Sequence, residues 1–85
     1  MVYFVYIIES EIDGTYYVGA SQDPMARLEK HNSNHKGFTA RKQPWKLVYT
    51  ETYQNKTEAL RREVFLKKQK SREFLETLIT GTSAG

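Results

Sequence analysis

The segment LRREVFLKKQ, residues 60–69, carries a carboxylate where an amphipathic helix should be apolar. Wound at about 100° per residue from Ala59, the side chains of Ala59, Leu60, Val64 and Leu66 share one apolar arc, and Glu63 falls within it at about 40°. Arg61, Arg62 and Lys68 lie outside that arc. Glu63 therefore either pairs with Lys67 one turn later, its stem lying along apolar surface, or is a functional carboxylate. Two further pairs have telling positions. Arg27 and His31 are four residues apart and so neighbours on one helical face, and Tyr6 and Tyr17 sit where a hairpin brings them to one side of a sheet. Carboxylate, guanidinium, imidazole and phenol are the groups from which sites for proton transfer and anion binding are assembled. Taken singly, each also has a plain structural use, as a packing residue or a solvated helix face.

The elements that must position these groups are legible. VYFVYII, residues 2–8, is β-branched and aromatic and reads as a strand covered on both faces. GTYYVGA follows a polar loop holding Asp13-Gly14, so the two make a β-hairpin. A two-residue Asp-Gly loop would set Tyr6 opposite Ser21 and Tyr17 opposite Ser10. A longer loop centred near Glu11 and Ile12 would set Tyr6 opposite Tyr17, with Gly14 at a positive φ or bulge position. Asp23 and Pro24 are an N-cap and a first helical residue, opening a helix to about Ser33. Residues 33–44 form a basic loop marked by Asn, Gly and Pro. WKLVYTETY, residues 45–53, alternates as a third strand. Asn55 and Glu58 have capping-box spacing at the start of the helix carrying Glu63. Ser71 caps a last helix with Phe74, Leu75, Leu78 and Ile79 as its apolar stripe, and Gly81 ends it. The expected fold is α+β: a small three-stranded antiparallel sheet flanked by helices, in the order β-β-α-β-α-α. One domain spans residues 1–80, and residues 81–85 are a disordered tail.

Composition narrows the function classes. The chain is 39% hydrophobic and 27% charged, which is globular rather than disordered. Thirteen Lys and Arg against ten Asp and Glu leave +3, compatible with a polyanionic partner without establishing one. The absence of Cys excludes disulfides and thiolate metal sites. No apolar run approaches the roughly 20 residues of a membrane span, and the first residues lack the basic start of a signal peptide. A cytoplasmic setting without membrane partners follows by elimination.

FVYIIESEIDGTYYVGASQDPMARLEKHN, followed by PWKLVYTETY and EALRREVFLKK, closely resembles the GIY-YIG nuclease superfamily. The likeness is greatest to its small single-domain bacterial members, relatives of the N-terminal nuclease domain of the bacterial excision-repair endonuclease. It runs from about Tyr3 to Ile79. Phe4-Val5-Tyr6 matches the first family motif and Tyr17-Val18-Gly19 the second, while Arg27, His31 and Glu63 match the family's arginine, histidine and glutamate. Phe4 replaces the first motif's glycine. The asparagine found beyond the glutamate helix in several relatives has no counterpart in KKQKSREFLE.

The resemblance implies cleavage of phosphodiester bonds in DNA, with branched or damaged DNA as a possible preference, and a single divalent ion, Mg²⁺ or Mn²⁺. It implies Tyr6, Tyr17, Arg27, His31 and Glu63 as the catalytic set, with Glu63 the one protein ligand of a largely hydrated ion and Arg27 on the phosphate. Either tyrosine could position or deprotonate water, and His31 could orient a tyrosine or protonate the leaving group. Those roles favour the longer hairpin loop. Lys36, Arg41, Lys42 and Lys46 are candidate phosphate contacts. A protein partner for targeting is a further expectation. Two other classes compete: a non-catalytic nucleic-acid-binding module, whose aromatic sheet stacks bases, and a protein-interaction domain.

Overall fold

A computed structural model describes residues 2–33, 36–37, 39–69 and 71–81. The elements are β1 (Tyr3–Ser10), β2 (Tyr16–Ser21), α1 (Pro24–His31), a 3₁₀ turn (Thr39–Lys42), β3 (Trp45–Tyr53), α2 (Lys56–Gln69) and α3 (Arg72–Thr80). The expected α+β order and the antiparallel sheet are both present, with strand order β2-β1-β3. Among the described residues no helix is long and apolar enough to cross a membrane. The expected tail beyond Gly81, and Asn34, His35 and Phe38 of the basic loop, lie outside the described residues.

Local chemistry starts and stops the helices as the sequence suggests. The Asp23 carboxylate accepts from the Ala26 amide, Asn55 from Glu58 and Ser71 from Phe74, each satisfying a first-turn donor. Gly81 ends α3 at φ 70°, a left-handed conformation favouring glycine.

The hairpin register lies between the two alternatives. Gly14 at φ 76° closes a loop in which the Gly14 amide donates to Ser10 and the Ser10 amide to Thr15. Tyr6 pairs with Gly19 and Ile8 with Tyr17, so Tyr6 is opposite neither Ser21 nor Tyr17. The two tyrosines still share one face as diagonal neighbours. Side chains alternate with a period of two, and these candidate registers differ by even steps, so all of them preserve that face.

β1 is central, and its alternation divides the core. Val5 and Ile7 join Val18, Ala59 and Leu66 beneath α2 and α3. Tyr6 and Ile8 join Trp45 on the other face, with Tyr17 and Leu28 packed on them, beneath α1. β3 serves both faces through a register shift. Ile7 pairs with Tyr49 but Ile8 with Leu47, so Val48 is the extra residue of a bulge. Trp45 and Leu47 therefore face α1, while Tyr49, Glu51 and Tyr53 face α2 and α3.

The packed face of α2 corrects the helical-wheel expectation. Leu66 is 1% exposed, but Leu60 is 39% and Val64 49% exposed. The inward seam is Ala59, Arg62, Glu63 and Leu66, an i, i+3, i+4, i+7 set, with Arg62 inside it rather than outside. Arg62 is drawn in by Glu51, whose two carboxylate oxygens accept from its Nε and Nη2 at 3.0 Å each. The same carboxylate accepts from the Tyr49 and Tyr53 hydroxyls at 2.6 Å. Burial opposes the charge on Glu51, yet Arg62 and the two phenols outweigh it and hold the carboxyl below its ordinary range. Burial and then the Glu51 carboxylate push both tyrosines up to about 12.

This network fixes how α2 is rotated, and Glu51→Gln tests it. Because the folded carboxyl is depressed, its stabilisation is present above the ordinary carboxylate range and lost as pH falls through the folded value. Acid unfolding of the variant should lack that component, and at neutral pH the variant should be destabilised by about 1.5–3 kcal/mol. The raised phenols bind their protons more tightly when folded, so their contribution fades as pH rises past 10 toward 12. Absorbance titration should show these two ionisations moving down toward 10 in the variant.

Candidate active site

Tyr6 is 1% exposed on the α1 face of β1. A side chain there needs room across the strand pair, and Gly19 provides it. A Cβ on Gly19 would sit 2.5 Å from Tyr6 Cζ and closer still to the hydroxyl, so only glycine permits the ring to lie over β2. The motif glycine is thus a space for a tyrosine, since its φ lies outside the left-handed region.

The Tyr6 hydroxyl meets His31 Nε2 at 3.1 Å, a buried contact between β1 and the last turn of α1. Arg27, one turn earlier on α1, brings its positive charge toward the same phenol. The Tyr6 hydroxyl donates to Nε2 in one tautomer of His31 and accepts from it in the other. Burial raises the Tyr6 pKa above 10, Arg27 draws it back only in part, and Tyr17 and Glu63 push it up further. The edge of Tyr17 packs on the His31 ring, centroids 5.1 Å apart, and Trp45 closes the far side of both rings.

The C-terminal end of α1 is pinned. Asn32 makes two hydrogen bonds to the Trp45 backbone, at 2.9 and 2.6 Å, and Gln43 Nε2 donates to the His31 carbonyl at 2.7 Å. A hollow of about 280 Å³ opens beside it, lined by Arg27, Lys30, His31 and Thr39.

Glu63 comes from the opposite helix layer. Its side chain is 17% exposed and accepts from Lys67 Nζ at 2.9 Å. Lys67 in turn lies 5.5 Å from the centroid of the Tyr17 ring. Burial alone would lower the Lys67 pKa, but the hydrogen bond and charge of Glu63 override it and hold it above the ordinary lysine value. The two explanations offered for Glu63 are therefore compatible: it pairs with Lys67, and it does so against the tyrosines.

The structure thus brings Tyr6, Tyr17, Arg27, His31 and Glu63 together around the β2 edge. The basic candidates divide. Lys36, Arg41 and Lys46 are exposed, with Arg41 in the 3₁₀ turn near the α1 hollow. Lys42 is ion-paired to Asp13 of the hairpin loop, and Lys46 pairs in register with Glu9. Lys30 and Thr39 line the hollow but were not singled out in the sequence, although Lys30 stands three residues from Arg27, a spacing that shares its face.

A metal held by protein groups alone finds no support among the described residues, which contain no cluster of three or more His, Asp or Glu suited to one. A single partly exposed carboxylate is the donor set present, and it fits the Mg²⁺ mode in which most ligands are water.

Gly19→Ala should force the Tyr6 ring off its seat and break its contact with His31. The expected result is a loss of about 1–3 kcal/mol in thermal or denaturant unfolding, together with a shift of the His31 ring resonances in the NMR spectrum.

Residues 2–76 match the GIY-YIG catalytic domain. A UPF0213 protein of Staphylococcus epidermidis is 42% identical over 81 residues, covering 93% of this chain and 96% of its own. One from Staphylococcus aureus is 44% identical over 66 residues, covering 76% and 79%. The solution NMR structure of the UPF0213 protein BH0048 from Bacillus halodurans superimposes with a TM-score of 0.56 at 32% identity, covering 94% of this chain and 84% of that one. With the family profile spanning residues 2–76, nearly the whole fold, this chain belongs to the GIY-YIG catalytic domain family.

Proposed function

We propose that this protein is a divalent-metal-dependent DNA endonuclease that hydrolyses phosphodiester bonds, with residues 1–80 as its folded unit and the cytoplasm as its place of work. The observation that carries it is the approach of Glu63, from one face of the sheet, to Tyr6 on the other, with Lys67 linking it to the Tyr17 ring. A binding module has no need of a carboxylate there, since carboxylate repels phosphate.

Glu63 would hold one Mg²⁺ or Mn²⁺, with water completing its shell. When bound, such an ion neutralises the scissile phosphate and stabilises the departing oxygen. Lys67 must then release the carboxylate. Arg27, exposed at the mouth, presents its donor fork to the phosphate oxygens as charge builds on them.

Burial separates the tyrosines. Tyr6 is covered, keeps its proton at neutral pH and holds His31, so it acts as a positioning residue. Tyr17 is only half buried and is the phenol able to touch substrate or the attacking water. Water oxygen bonds to phosphorus as the P–O bond to the leaving alcohol breaks. One water proton passes by way of Tyr17 to solvent water, and the leaving oxygen takes up one proton from solvent water, so the transfers balance. Branched or damaged DNA is the proposed preference, with Lys36, Arg41 and Lys46 as additional phosphate contacts.

Incubation with plasmid, branched and single-stranded DNA and Mg²⁺ or Mn²⁺ tests this. Cleavage should be abolished by Glu63→Ala and reduced about 10²–10³-fold by Arg27→Ala. Tyr17→Phe should cost more activity than Tyr6→Phe, whose loss should instead accompany altered His31 resonances. Failure to cut any of these substrates, or full activity of Glu63→Ala, would refute the proposal. Salt-sensitive binding without metal-dependent cutting would identify a binding module instead.

A further inference from the structure

β2 is an edge strand, and a second cleft of about 410 Å³ runs along its free side, between residues 15–18 and the α2–α3 junction. Its floor is apolar, from Val18, Leu66 and Leu75. Tyr17 and Lys67 stand at one end, which makes it continuous with the candidate active site. Tyr16 and Arg72 line it as well.

Arg72 is held in an unusual way. Its guanidinium carbon lies 4.3 Å from the centroid of the Tyr16 ring, so one flat face is covered. Its Nη1 donates to the Gly14 carbonyl at 2.6 Å and its Nε is ion-paired with Glu76 at 3.1 Å. The side chain is nevertheless 52% exposed. Tyr16, Gly14 and Glu76 thus engage part of the guanidinium, and about half of the side chain stays open to solvent. A guanidinium so placed suits flat π-systems better than phosphate, because the donor fork that would grip a phosphate is partly taken.

We infer that the β2-edge cleft is a nucleobase subsite, in which a base of the strand flanking the scissile phosphate stacks on the Arg72–Tyr16 shelf. The inference rests on the DNA-cleavage proposal. Three features favour this occupant: a preformed cationic stacking surface, an apolar floor beside it, and a wall shared with Tyr17 and Lys67. The base lies flat on Arg72 while the chain runs past Lys67 toward Tyr17. A shelf that recognises any base by its π-face holds a single strand without reading its sequence.

The test uses the full chain in EDTA, so that binding is measured without cutting. A short single-stranded oligodeoxynucleotide and an abasic strand of equal length are titrated while backbone amides are followed by NMR. The base-bearing strand should shift the amides of residues 15–18 and 71–75 as well as those around Arg27. Arg72→Lys, which keeps the charge and removes the plane, should weaken that strand about fivefold or more and leave the abasic strand within about twofold. Equal weakening of both strands would overturn the subsite, since Arg72 would then be only a charge. Shifts confined to the Arg27 and Thr39 region would also overturn it while leaving the endonuclease proposal standing. No shift anywhere would overturn the subsite and remove DNA binding from the proposal with it.

Discussion

The sheet is only three strands wide, and most of the site depends on that constraint. Three strands span roughly 10 Å between the outer axes. A helix on one face can therefore reach around the edge to a helix on the other. α1 carries Arg27 and His31 over the Tyr6 face, and α2 carries Glu63 over the Val5 face. They meet at β2, where Lys67 bridges from Glu63 to the Tyr17 ring. A broader sheet would keep these groups apart, and a closed barrel would offer no edge to reach around.

Within that geometry two polar arrangements hold the parts in place. Tyr6 is hydrogen-bonded to His31 with the Arg27 charge beside it, lodged in the space that Gly19 leaves. Glu51 gathers Arg62, Tyr49 and Tyr53 and sets the rotation of α2. Among the described residues no buried side-chain polar atom is left unpartnered, as a small domain with little core to spare requires. The Glu63–Lys67 pair differs from both. It lies at the mouth, is more exposed on the lysine side, and is the contact an incoming cation would replace.

Much of this was legible in the sequence because it is local. Caps at Asp23, Asn55 and Ser71, the positive-φ glycines at 14 and 81 and the three strands follow from residue chemistry within a few positions. The five candidate residues come from their spacing together with the family resemblance, and the side-chain period of two kept Tyr6 and Tyr17 on one face although the register differed from either alternative. What was hidden depends on partners distant in sequence. The bulge at Val48 turns an evenly alternating strand from one face to the other, and nothing in WKLVYTETY marks where. The hydropathy of α2 pointed to Leu60 and Val64, whereas Glu51, eleven residues before Arg62, draws that arginine inward and leaves them exposed. Arg72 is similarly opaque, since its stacking partner Tyr16 comes from the opposite end of the chain.

Glu63 lies on the inward face of α2 yet is held by a single lysine, and its proposed role stands on where a divalent ion goes. Anomalous diffraction from crystals soaked in Mn²⁺ measures that position directly. The expected result is one ion against the Glu63 carboxylate, within reach of Tyr17 and Arg27, with the Lys67 ammonium displaced. An intact Glu63–Lys67 pair with manganese bound elsewhere, or not bound at all, would contradict it.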